Sequence, residues 1–160
     1  MKKAEALRAH LTQHVPYLAK EPQNLLVFIE RGGVGCRLGG GLSFDYRYEI
    51  NLVVLDFSAH ADTLMVPLLA WIAVNEPALM QAPATLEQVV RFEAEIIDND
   101  RADISLTIPV SERVIVTEDG AGGYIATHAD EPPIDELLGT NPWQLFLNNV
   151  LVVPGADIIP

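Results

Sequence analysis

The sequence predicts an α+β fold: a mainly antiparallel sheet of four to six strands with a long projecting β-hairpin, packed by an N-terminal amphipathic helix and a buried central helix. Apolar and polar residues alternate at period two through residues 42–51, 89–98 and 102–110, as is typical of strands with one buried face, and residues 52–55 are apolar on both faces. Apolar residues recur at helical spacing in residues 3–19. Residues 64–74 are apolar around most of a helix circumference, which predicts a helix lying buried across the sheet.

The composition suits a single globular domain with a sizeable core. The chain has 160 residues, of which 49% are hydrophobic and 20% are charged. Its net charge of −12 argues against direct nucleic-acid binding, which depends on Lys and Arg that neutralise phosphates, and against docking to an anionic membrane. The single cysteine, Cys36, permits no internal disulfide, and the N-terminus lacks an apolar core of signal-peptide length. Synthesis in the cytoplasm is therefore expected.

The first elements are a helix and a short strand pair. Pro16 is expected to end or kink the N-terminal helix, because proline lacks the amide that an interior turn needs. Residues 25–30 are apolar on both faces, which predicts a central strand. Gly32 and Gly33 suit a tight hairpin turn, with residues 34–38 as the return strand.

The stretch at residues 42–57 predicts the strand around which the fold is arranged. One face would carry its apolar residues, which are Leu42, Phe44, Tyr46, Tyr48, Ile50, Leu52 and Val54. At about 3.3 Å per residue such a strand far exceeds the usual length of about five or six residues. An end of it should project from its own domain, and a projecting, half-apolar hairpin needs a partner.

The second half begins with the buried helix. Asp62 is a candidate N-cap for it, Pro67 is expected to bend it, and Pro77 suits the first position of a further short helix. Residues 99–101 have turn chemistry. Residues 102–110 predict the return strand, and Pro109 within it places this strand at an edge or on a bulge.

The chain divides by composition into an α+β domain at residues 1–118 and an acidic, Pro/Gly-rich extension at residues 119–160. Within the extension, residues 133–138 suit a short helix. Residues 143–153 are apolar enough to form a strand or helix that packs on its own domain or on a neighbour.

Catalytic, cofactor and metal sites are not expected. The glycines at residues 32–41 lack the Lys-Ser/Thr of a phosphate-binding loop and the helix of a dinucleotide fingerprint. Several residues have spacings that resemble metal sites, but helix caps, turns and solvent-facing histidines explain them better; they are His10 and His14, then Asp56, His60 and Asp62, then Asp98, Asp100 and Asp103.

Six segments in order carry a resemblance to a known family. These are ALRAHLTQHVP, LLVFIERG, SFDYRYEINLVVLDF, MVPLLAWIAVNEP, RFEAEIIDND and SERVIVTED. Together they resemble the tail completion protein R family of contractile-tailed temperate bacteriophages. The resemblance covers about residues 1–128, and the sequence after His128 departs from the family pattern.

The resemblance implies a structural, non-enzymatic protein that completes the phage tail at its head-proximal end. Proteins of this role resemble tail terminators, which are small α+β subunits that close into a ring, commonly a hexamer. The implied partners are further copies of the chain, tail tube or sheath proteins, and head–tail connector proteins. The implied location is the virion tail, and the host bacterial cytoplasm during assembly.

A long strand that extends past its own fold can join the sheet of a neighbouring copy through backbone hydrogen bonds. We therefore expect subunit contacts near two segments, whose residues are Asp45, Tyr46, Arg47, Tyr48 and Glu49, and Asp98, Asn99, Asp100 and Arg101. The alternative is that Tyr46 and Tyr48 complete the core of one subunit. An alternative function is a small ligand-binding or regulatory α+β domain whose apolar helix forms a pocket.

Overall fold

The computed structural model describes residues 1–36, 41–81, 89–131, 143–147 and 150–156. The helices are α1 (Lys2–His14), α2 (Pro16–Lys20), α3 (Asp62–Asn75) and α4 (Pro77–Gln81), with a 3₁₀ turn at Pro22–Asn24. The strands are β1 (Leu25–Cys36), β2 (Phe44–Phe57), β3 (Arg91–Ile96), β4 (Ala102–Glu118), β5 (Tyr124–His128), β6 (Trp143–Leu147) and β7 (Val150–Ala156).

Five of these strands form one antiparallel sheet in the order β1-β2-β4-β3, with β5 also paired to β4. Because β2 occupies one side of β4, both β3 and β5 lie on its other side, with β3 on residues 102–107 and β5 on residues 114–118. Strands β6 and β7 form a separate two-stranded sheet. The predicted α+β class and antiparallel sheet are confirmed.

Helices α1 and α3 pack on one face of this sheet and build the core. The alternating residues of β2 and β4 face them, so that Ile50, Leu52 and Ile108 are completely buried. From the helices, the fully buried side chains include Leu7 and Leu11 of α1 and Leu64, Leu68 and Ile72 of α3. The buried central helix and the amphipathic N-terminal helix predicted from the sequence are therefore present.

Pro16 ends the first helix, as predicted. Val15 is extended, with φ −95° and ψ 111°, and Pro16 then occupies the first position of α2. The residue before a proline disfavours helical angles, and the first position of a helix does not need the amide that proline lacks.

The predicted hairpin at Gly32 and Gly33 is wrong, since β1 continues through both glycines and pairs with β2 along its length. Register passes from Glu30 opposite Glu49 to Gly33 opposite Arg47, so β1 contains one extra residue there. This β-bulge absorbs Arg31, whose φ is +51°. A bulge twists and bends a strand without reversing it, which the glycines alone could not indicate.

The N-cap prediction for Asp62 is also wrong. Ala61 stands at the cap of α3 and no side chain caps the helix. Asp62 is the first helical residue, where its carboxylate still interacts favourably with the helix dipole. Pro77 begins α4, as predicted. The short helix predicted at residues 133–138 lies outside the described residues.

Candidate subunit interface

Strand β3 leaves apolar side chains uncovered at one end of the sheet. Phe92 is opposite Leu106 and Ala94 is opposite Ile104, so these residues lie on the face that carries the core. The side chain of Leu106 is nevertheless buried, whereas Phe92 and Ile96 are 63% and 81% exposed. The core face of the sheet therefore extends onto β3 beyond the cover of the helices.

Strand β1 is the other end of the sheet order, and it also carries exposed apolar residues. These are Leu26, Phe28, Ile29 and Val34. The two ends differ in sequence, so they offer two different surfaces. Exposed apolar residues beside an unpaired strand edge are typical of sites that pair with another chain.

The predicted contact segment at residues 45–49 is partly exposed and partly core. Asp45 forms an ion pair with Arg113, with 3.1 Å between Oδ1 and Nε, and Arg47 is exposed. The ring of Tyr46 is half-buried and packs edge-on against Phe44. Tyr48 is only 4% exposed and donates its hydroxyl to Glu112, so it belongs to the core of its own subunit.

The predicted contact turn at residues 98–101 is exposed, and Arg101 bonds it to itself and to Asp56 of β2. The guanidinium of Arg101 lies 2.7 Å from Asp98 Oδ2 and 2.9 Å from Asp56 Oδ1. The hydrogen bond from Arg101 lowers the pKa of Asp98 below its ordinary value. This turn joins β3 to β4 beside Ala102, whereas Asp45 pairs with Arg113, about 35 Å further along β4. The two predicted segments therefore lie at opposite ends of one subunit, and their role in subunit contacts stays a prediction.

A buried carboxylate that sequence reasoning missed joins the sheet to the start of α1. Glu112 accepts hydrogen bonds from the backbone amides of Lys2 (3.3 Å) and Lys3 (3.1 Å) and from the hydroxyl of Tyr48. The Nδ1 atom of His128 lies 3.0 Å from Oε2 of Glu112, the oxygen that also accepts from the Lys2 amide. Burial opposes ionisation of Glu112, but these donors outweigh it and lower its pKa. The sequence could have indicated this burial, because Glu112 lies two residues from both Val110 and Val114 and therefore on the same, buried face of β4.

A second buried carboxylate, Glu76, follows α3 and contacts the part of β4 that lies between its pairings with β3 and β5. It accepts the backbone amide of Ser111 (2.8 Å) and the Nζ of Lys3 (2.7 Å). Burial raises its pKa above the ordinary value. Because alternate residues of a strand point their amides to the same side, Pro109 would point its nitrogen to this side too. Pro109 thus stands where no described strand needs its amide, which explains a proline within an inner strand.

The chain continues from β5 into the same cluster. Glu131 accepts a 2.7 Å bond from the Nζ of Lys3, and the amide of Ala129 donates to the carbonyl of Arg113. Residues 124–131 therefore pack with the body although they fall in the predicted extension. Whether the remainder of residues 119–160 is a separate unit stays a prediction.

The polar groups of His10 and of the arginines in one hollow on the sheet are bonded within the chain. His10 is not solvent-facing as predicted: its Nε2 lies 3.0 Å from the carbonyl oxygen of Pro67, and burial lowers its pKa to about 4. A hollow of about 610 Å³ on the open sheet face contains Arg31 and Arg91, but both are ion-paired with Glu49. Within the described ranges, no group of three or more His, Cys, Asp or Glu residues is arranged to hold a metal ion. None of the helices in that part of the chain is long and apolar enough to cross a membrane.

Comparison with known proteins identifies the family. Residues 1–132 match the family model of the P2 phage tail completion protein R. The chain is 33% identical to "Tail completion protein R" of Escherichia phage P2 over 152 residues, which cover 95% of this chain and 97% of the relative. Since 152 aligned residues cannot fit within residues 1–128, the similarity extends past His128, contrary to the departure expected there. No solved structure matches the chain, so a tail-terminator fold stays a prediction. The chain belongs to the phage tail completion protein R family, a structural family of virion tails.

Proposed function

We propose that this protein completes the phage tail by capping it at the head-proximal end as a ring of identical subunits. Family membership supports the tail-completion role. The observation that favours a ring is the sheet itself, which ends in β1 on one side and in β3 on the other.

Contacts between unlike surfaces of identical subunits run head to tail, and they close into a ring when the rotation between subunits allows. The exposed apolar residues at each end of the sheet supply such unlike surfaces, among them Val34 at one end and Ile96 at the other. The exposed residues Arg47 and Arg101 belong to the two predicted contact segments and are proposed to lie at the rim of these contacts.

The proposed partners are the tail tube or sheath below the ring and the head–tail connector above it. A ring with the net charge of −12 per subunit would let DNA pass without binding it, because like charges repel the phosphates. Assembly is proposed to take place in the host bacterial cytoplasm, and the ring acts by stopping tube growth, with no catalytic step.

The test is to add the purified protein to growing tail tubes and to image tube ends by electron microscopy. We expect a density at one end only and arrested growth, together with a discrete multiple of 17.5 kDa in light scattering at high concentration or with tubes present. Tube growth that continues unchanged in the presence of folded protein would refute the capping role. A capped tube that carries only one copy would refute the ring alone.

A further inference from the structure

In the part of the chain that the structure describes, the β6–β7 sheet and the outer edge of β3 have no further strand paired to them. We propose that β6–β7 of one subunit covers the β3 edge of the neighbouring subunit. This inference rests on the ring proposed above and names the contact that joins its subunits.

The acceptor is the uncovered apolar face of β3. Phe92, Ala94 and Ile96 continue the core row that begins with Ile104 and Leu106, but helices α1 and α3 leave them exposed. The outer edge of β3 is also the end of the sheet order, so its backbone groups on that side have no strand beside them in the described chain. An unpaired edge with an apolar face accepts an added strand.

The donor is the hairpin of β6 and β7. Residues 143–156 include no charged residue, and eight of the fourteen are Trp, Phe, Leu or Val. The hairpin forms a two-stranded sheet of its own. An isolated two-stranded hairpin is at best marginally stable in water, so an apolar one requires a surface to pack on.

Among the described strands, neither the hairpin nor the outer edge of β3 pairs with the other within one chain, and this favours a neighbouring subunit. Strand β3 pairs with β4, and β6 pairs with β7, but the two sheets are separate. Glu131 is fixed to Lys3 on the body, and eleven residues separate it from Trp143. Eleven residues reach up to about 40 Å when extended, enough for the hairpin to leave its own subunit.

The hairpin is favoured over the β1 edge of a second copy because it brings no charged residue to the contact. Strand β1 carries the exposed residues Glu30 and Arg31, and burying charged side chains against β3 would cost free energy. Because donor and acceptor are different surfaces, the contact also runs head to tail, as a ring requires.

The first test uses full-length chains with one substitution on either side of the contact. Ile96→Asp alters the acceptor and Leu151→Asp alters the donor. We expect each to raise the concentration needed for assembly at least tenfold in light scattering, with unchanged far-UV circular dichroism. Ile125→Asp is the control, because Ile125 is an apolar residue of β5 that is 54% exposed and belongs to neither side of the proposed contact. Assembly that survives both Ile96→Asp and Leu151→Asp would overturn the inference.

The second test separates a neighbour from the same chain. In a Cys36→Ser background, one protein carries Ile96→Cys and another carries Val152→Cys or Val153→Cys, since adjacent residues of a strand face opposite ways. Mixing them with a short bis-maleimide cross-linker should give a covalent dimer that neither protein forms alone. A chain that holds both cysteines and cross-links only within itself would overturn the inference and leave the ring intact. A full chain that neither assembles nor binds tail tubes would refute the proposed function as well.

Discussion

Replacing Glu112 by glutamine should destabilise the folded subunit. The carboxylate accepts from the amides of Lys2 and Lys3 and from the hydroxyl of Tyr48, and it contacts His128. A glutamine retains one acceptor oxygen and turns an amide group, itself a donor, towards these donors.

The expected loss of unfolding free energy follows from the hydrogen-bond donors that lose the carboxylate. A hydrogen bond to a charged group contributes about 1.5–3 kcal/mol, and a buried donor without a partner costs about 1–3 kcal/mol. The amides of Lys2 and Lys3 lie at a partly exposed helix start, where water can replace the carboxylate. The hydroxyl of the buried Tyr48 has no access to water and depends on the one oxygen that glutamine keeps, which is a weaker acceptor than a carboxylate. We therefore expect Glu112→Gln to lower the free energy of unfolding by about 3 kcal/mol.

Urea unfolding of the full chain, followed by circular dichroism and tryptophan fluorescence, measures this difference through the transition midpoint at an unchanged slope. Glu118→Gln is the matched control on the same strand, because Glu118 is exposed and its loss should change stability by less than about 0.5 kcal/mol. Since the pKa of Glu112 is lowered in the folded chain, its stabilisation is present above its ordinary value of 4.5 and is lost as the pH falls through the folded pKa. The parent and Glu112→Gln should thus converge in acid. A difference at neutral pH no larger than that of the control would refute the role of Glu112.

Three further predictions concern the core. His10→Gln should reduce the loss of stability on acidification. Folding lowers the pKa of His10 from 6.5 to about 4, so the unfolded chain binds a proton that the folded chain does not, at a cost of at most roughly 3 kcal/mol as the pH falls through that window. Equal acid slopes in pH-dependent unfolding would contradict it. Leu68→Ala should cost about 2–5 kcal/mol in urea unfolding, whereas the neighbouring Leu69→Ala should cost much less, because Leu68 is fully buried and Leu69 is 40% exposed. Tyr48→Asp should unfold the subunit, since Tyr48 is buried, and a folded variant in thermal melts would argue against that placement.

The sequence determined the elements whose signal is local. The alternation through β2 and the helical spacing through α1 are each set by backbone geometry, which repeats side-chain direction every two residues in a strand and every 3.6 in a helix. Pro16 and Pro77 marked helix boundaries for the same reason, since each acts on the residues beside it. The family resemblance also followed from the order of local segments, and the comparisons bear it out.

Only the tertiary structure decided which strands pair and what they leave uncovered. The glycines at residues 32 and 33 fit a turn or a bulge equally well, and the register against β2 selects the bulge. The burial of Glu112 depends on a helix start that is 109 residues away from it in sequence. The exposure of Phe92 and Ile96 depends on where α1 and α3 end their cover of the sheet. These features arise from contacts between distant segments, and the periodicity of a single segment holds no information about its neighbours.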